Sequence, residues 1–112
     1  MLQQRPQAAA VDAFNRCLDI VPDHAPALYE RGLAFLSLHL PEQALEDFSR
    51  AVAVRRAPNF LLARGSVHMK LRDFPAMCRD YADACALGRC EGYEWSRSKG
   101  YCGEETLSTT QP

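Results

Sequence analysis

Leu28-Tyr29-Glu30-Arg31-Gly32 and Leu61-Leu62-Ala63-Arg64-Gly65 decide the reading of this chain. Both spell Leu-x-x-Arg-Gly, and the second begins 33 residues after the first. The same offset pairs Leu38 with Leu71, Asp47 with Asp80, Phe48 with Tyr81 and Ala51 with Ala84. Upstream, an offset of 34 pairs Ala10 with Ala44, Phe14 with Phe48 and Arg16 with Arg50. A period of this length suits a helix–turn–helix unit, two helices of about 12–15 residues plus turns.

The residue types agree with helices. Apolar residues at 27, 28, 33, 34, 35, 36 and 38 make a wide helical face. Ala44, Leu45, Phe48, Ala51, Val52 and Val54 recur at spacings of three and four and form one stripe. Gly32 and Gly65 fall inside helices, where Gly costs about 1 kcal/mol against Ala. That cost implies a packing reason: two helices crossing too closely for a side chain. Pro41 and Pro75 stand where second helices should begin, a position that tolerates Pro. Pro22 and Pro58 punctuate the repeats, and Asp73 is placed to cap the helix after it.

This pattern resembles tetratricopeptide-repeat (TPR) motifs. The first helix of each unit carries Leu28, Gly32 and Phe35, then Leu61, Gly65 and His68. The second carries Ala44, Phe48 and Ala51, then Met77, Tyr81 and Ala84. The N-terminal stretch supplies only a second helix, with Ala10, Phe14, Cys17 and Pro22. The resemblance covers roughly residues 7–88. It departs from the family pattern at His68, Met77 and Arg56, which stand where an aromatic, a small residue and a Pro are usual. It implies an all-α fold: a right-handed α-solenoid of about two and a half repeats, closed by a short C-terminal capping helix. Helices are expected at about 7–20, 25–38, 42–55, 59–71 and 74–87, with Gly88 stopping the last. The divisions are a half repeat at 1–24, repeats at 25–57 and 58–89, a cysteine-rich cap at 90–103 and a disordered tail at 104–112.

The resemblance also implies a function: binding a protein or peptide partner in a concave groove lined by first helices. Groove-facing positions are Pro26, Tyr29, Leu33, Leu36 and Ser37, then Asn59, Leu62, Ser66, Met69 and Lys70. The alternative for these side chains is packing between repeats. Some TPR domains grip a C-terminal carboxylate with Lys, Asn and Arg at set positions. Those positions hold Glu30, Asn59 and Ala63, so that clamp is not expected. The front helix lacks its first-helix partner, which points to truncation of a longer protein or to a homodimer through the uncovered helix.

Five cysteines are the unusual feature of the composition. Cys17 stands alone at a small-residue packing position. Cys78 and Cys85, seven apart, share one helical face. If the cap runs antiparallel to its neighbour, Cys90 starts near Cys85 and Cys102 ends toward Cys78. That geometry favours the nested disulfides Cys85–Cys90 and Cys78–Cys102, although four cysteines allow three pairings. Tyr93 and Trp95 offer the cap its apolar surface. Residues 78–102 further resemble the C-terminal ends of some bacterial secreted or periplasmic TPR proteins. That likeness implies an oxidising, extracytoplasmic compartment such as the periplasm. Two rivals stand beside it: reduced, buried thiols in a cytoplasmic protein, and a four-cysteine zinc site, which the absence of a C-x2-C pair disfavours.

No catalytic motif, cofactor or metal site is legible. There is no H-E-x-x-H, no Gly-rich phosphate loop and no G-x-S-x-G. His24 and His39 fall in turns, and His68 falls at a packing position. Glu42, Glu46, Asp47, Arg79, Asp80 and Asp83 read as solvated faces. A net charge of −1, with Arg55-Arg56 the densest basic spot, gives no footprint for nucleic acid. No apolar run could span a bilayer, and MLQQRPQAAA is not a signal peptide. The expected function is therefore a non-enzymatic interaction scaffold. The rival is a thiol-based redox protein using the C-terminal cysteines.

Overall fold

A computed structural model describes residues 5–103 of the chain. The disordered tail expected at 104–112 lies outside the described residues. Among the described residues there are α-helices and no strand: α1 (Arg5–Ile20), α2 (Ala25–Ser37), α3 (Pro41–Val54), α4 (Pro58–Lys70), α5 (Phe74–Ala86) and α6 (Glu91–Ser98). They divide into two units, with the boundary between Arg56 and Ala57. In the first unit α1 packs on α2 and α2 on α3; in the second, α4 packs on α5 and α5 on α6.

Local chemistry sets where helices start. The Asp73 carboxylate accepts the Ala76 N–H at 3.3 Å, as its N-cap position predicts. His24 caps α2 in the same way, its Nδ1 accepting the Ala27 N–H at 3.1 Å. Pro41 and Pro58 open α3 and α4, where an absent N–H leaves nothing unsatisfied.

Four of the stops share one device. α2 ends with the Leu40 N–H bonded to the Phe35 carbonyl and the His39 N–H bonded to that of Leu36. The same paired bonds recur at Asp73 to His68 and Arg72 to Met69, at Arg89 to Ala84 and Gly88 to Cys85, and at Tyr101 to Ser96 and Gly100 to Arg97. This is the Schellman arrangement, which needs a left-handed residue just past the helix. Gly88 and Gly100 supply it at φ 103° and 83°, whereas His39 and Arg72 adopt φ 62° and 64°. A non-Gly residue there costs roughly 1 kcal/mol. Arg72 recovers some of it by laying its guanidinium 5.3 Å from the Phe74 ring centroid. His39 is exposed. His39→Gly is therefore expected to raise stability by about 0.5–1 kcal/mol, read as a higher denaturant midpoint. A lower midpoint would show that the imidazole supports the turn.

The two cores match position by position. Leu28, Ala44, Phe48 and Ala51 are fully buried in the first unit, and Leu61, Met77 and Ala84 in the second, with Tyr81 nearly so. Gly32 lies under the Phe48 ring, and a Cβ there would sit 2.5 Å from it. Gly65 lies under Tyr81 at the same 2.5 Å. The close helix crossing inferred from these two glycines is present in both units.

Candidate binding surface and cysteine-paired cap

Each unit is locked by a buried ion pair that the sequence reading missed. Arg31 on α2 donates from Nε and Nη2 to the two carboxylate oxygens of Asp47 on α3, at 2.8 and 2.7 Å. Its Nη1 donates to the Asn15 side chain of α1 at 2.8 Å, so one guanidinium ties three helices. Arg64 on α4 repeats the fork onto Asp80 of α5, at 2.9 Å twice. Asp47 is 1% exposed and Asp80 4%, which corrects their assignment to a solvated face. A buried carboxylate needs a partner, and a bidentate guanidinium 16 residues upstream provides it. The hydrogen bonds to the aspartates raise the Arg31 and Arg64 pKa values further still. The signal was visible, because both members of the pair recur at the offset of 33.

One substitution distinguishes the two locks. Phe35 lies beside Arg31, its ring centroid 5.6 Å from the guanidinium carbon. Its counterpart His68 instead brings Nε2 to 3.5 Å from the Asp80 carboxylate. His68 is half-buried, as its packing position predicts.

Five of the ten expected groove positions belong to the first unit. Tyr29, Leu33 and Leu36 are all half-buried, and the Tyr29 ring leans on Phe48 with centroids 5.8 Å apart. Pro26 and Ser37 beside them are exposed. The second unit holds the other five. Asn59 and Lys70 are exposed. Leu62 and Met69 pack against the cluster of Met77, Cys78, Tyr81 and Cys102. The Ser66 hydroxyl donates to the Leu62 carbonyl at 3.0 Å or shares a hydrogen bond with the Tyr81 hydroxyl at 3.0 Å. Leu62, Ser66 and Met69 thus have partners within their own unit.

The cap lies against the same cluster. Gly92 and Ser96, four apart on α6, form the stripe that meets α5. A Cβ on Gly92 would be 3.1 Å from both Leu62 and Tyr81. Ser96 is fully buried, its hydroxyl 3.9 Å from the Met77 sulfur. Tyr93 packs on the cluster as expected, but Trp95 does not bury: it stays 43% exposed at the edge of the stripe. Trp95 turns instead to Tyr101, at 5.8 Å between centroids, and Tyr101 stacks on Phe74 at 4.7 Å. Cys78 lies beside Cys102 and Cys85 beside Cys90, both at disulfide distance, with Cα separations of 5.6 and 3.9 Å. Cys17 has no cysteine partner and is half-buried.

The cap also follows the repeat. Arg97 falls 33 residues after Arg64, the offset that relates α4 to α2. Ser98 stands where Gly32 and Gly65 stand, and the helix ends there.

Along α1, Ala10, Phe14 and Cys17 are half-buried, and Ile20 is largely exposed. Among the described residues, no group of three or more His, Cys, Asp or Glu side chains is placed to hold a metal ion. No described helix is long and apolar enough to cross a membrane. No family model matches the chain, and no curated protein matches it.

Proposed function

We propose that the chain is a protein-interaction module of the TPR type, a right-handed solenoid that holds a partner peptide on its first helices. The supporting observation is the duplicated helix pair. In both units the Gly–aromatic crossing and the Arg–Asp lock bury one side of the first helix. The first unit leaves Tyr29, Leu33 and Leu36 half-buried, an apolar row a peptide could cover. Such a rigid, preorganised row suits binding because little entropy is lost on association. The exposed Ile20 and the half-buried Phe14 of α1 support a second contact, to another copy or another helix. The cysteine pairs at disulfide distance support an oxidising, extracytoplasmic setting.

The test is selection of peptides from a displayed library on the full chain, followed by affinity measurement. Enriched peptides are expected to lose about tenfold or more in affinity, roughly 1.4 kcal/mol, on Tyr29→Ala or Leu36→Ser. Unchanged affinity in both variants would remove α2 as the binding surface. Catalysed disulfide exchange on a reduced or scrambled protein substrate, with no peptide enriched, would favour the redox reading instead.

A further inference from the structure

We propose that residues 91–103 are a thiol-released lid, held over the apolar face of α4 and α5 by two cysteine pairs of unequal accessibility. The inference stands on placement and burial, independently of the binding row on α2. It requires both cysteine pairs to be oxidised, which the first step of the test reads directly.

The lid is too small to hold itself. α6 has eight residues, well below the length at which an isolated helix persists in water. Its only fully buried side chain is Ser96, which brings a hydroxyl rather than apolar area. Tyr93 is half-buried, and its hydroxyl is enclosed with no hydrogen-bond partner among the described residues, which works against closure. What the lid covers is strongly apolar: Met77, Cys78 and Tyr81, with Leu62, Met69 and Phe74 around them. A marginal helix over such a face stays closed only with covalent help.

The two pairs give that help differently. Cys78 and Cys102 are 0% and 2% exposed. They are 24 residues apart and enclose the whole of α6. Cys85 and Cys90 are half-buried and only five residues apart, across the turn at Gly88. That turn is already closed by the Gly88 and Arg89 backbone hydrogen bonds, so opening this pair changes little. Exchange requires a thiolate to reach a sulfur. A small dithiol reaches Cys85–Cys90 first and leaves the lid in place. It reaches Cys78–Cys102 second, and that step frees the lid.

The chemistry is the same at each pair. One thiolate of the dithiol attacks a cysteine sulfur and forms a mixed disulfide. The other cysteine leaves as a thiolate and takes a proton. The second thiol of the reagent then closes the reagent's own disulfide and releases the remaining cysteine. Two electrons pass from one dithiol to each protein bridge.

The experiment titrates the oxidised full chain with dithiothreitol and follows it by alkylation mass spectrometry and hydrogen exchange. Before reductant, denatured protein is expected to alkylate at Cys17 alone; five reactive thiols would overturn the proposal. Rising dithiothreitol should expose Cys85 and Cys90 first, with exchange in 91–103 unchanged. Cys78 and Cys102 should follow, and exchange in 91–103 should then rise about tenfold or more while α5 stays protected. Simultaneous opening of both pairs, or a lid still protected when all are reduced, would overturn it. Cys85→Ser/Cys90→Ser keeps the enclosing pair, so its lid should stay closed until one single step. If that variant's lid is already open in the oxidised state, the proposal fails. Peptide affinity on α2 should be unchanged throughout.

Discussion

Asp47→Ala should destabilise the first unit by about 2–3 kcal/mol. Breaking a buried pair typically costs about 3–5 kcal/mol, because the abandoned charge keeps its desolvation penalty. The Arg31 side chain is 18% exposed and can turn partly to water, which places the loss below that range. Asn15 would still accept one of its hydrogens. Chemical denaturation reads the effect as a lower midpoint with an unchanged slope. Replacing both partners by apolar residues of similar size, Arg31→Met with Asp47→Leu, should return most of the stability, since no charge is then stranded. If Asp47→Ala lowers stability by less than about 0.5 kcal/mol, the lock is a surface pair and its burial is wrong. Asp80→Ala should behave alike in the second unit and should also deprive His68 of its carboxylate neighbour.

Gly32→Ala sets two effects against each other, and their sizes decide the sign. Ala is the better helix former by about 1 kcal/mol. Its methyl would meet three atoms of the Phe48 ring at 2.5, 2.9 and 2.9 Å. Phe48 is fully buried, so the ring cannot swing into water, and overpacking of this kind costs about 1–3 kcal/mol. A larger residue is decisive: Gly32→Leu should abolish cooperative unfolding of the first unit. For Gly32→Ala a net loss of about 1–2 kcal/mol is expected. Adding Phe48→Leu should make the alanine tolerable, so the two changes together should cost less than the sum of each alone. A Gly32→Ala protein more stable than the wild type would mean that the helices do not cross there.

Much of the helical architecture was legible because repetition multiplies weak signals. A single Leu-x-x-Arg-Gly says little. Two of them in register with Asp-Phe and Asp-Tyr mark which residues fill equivalent places. The glycines were read correctly from cost alone, since a helix tolerates Gly only where a side chain would not fit. Capping by Asp73 and the stop at Gly88 followed from local hydrogen-bonding rules that act within a few residues.

What escaped notice involved partners far apart in sequence. Asp47 follows Glu46, and a run of acids looks solvated. Only its distance of one helix and one turn from Arg31 reveals the pair. The ends of α2 and α4 fall within a residue of expectation, but the left-handed backbone of His39 and Arg72 escaped, because that position usually calls for Gly. Trp95 is expected to offer the cap apolar surface, whereas the contact uses the small Gly92 and Ser96. The groove positions were reached through resemblance rather than residue physics. Three of the second unit's five, Leu62, Ser66 and Met69, have partners inside that unit, in α5 and the cysteine-paired cluster.

The most direct test of the account is heteronuclear NMR of the full chain, titrated with a peptide selected against it. The account predicts saturable shifts on α2, centred on Tyr29, Leu33 and Leu36, with the Arg31 and Arg64 side-chain signals unmoved because those locks are internal. Shifts confined to α6 and the cysteine region, or spread evenly without saturation, would contradict it.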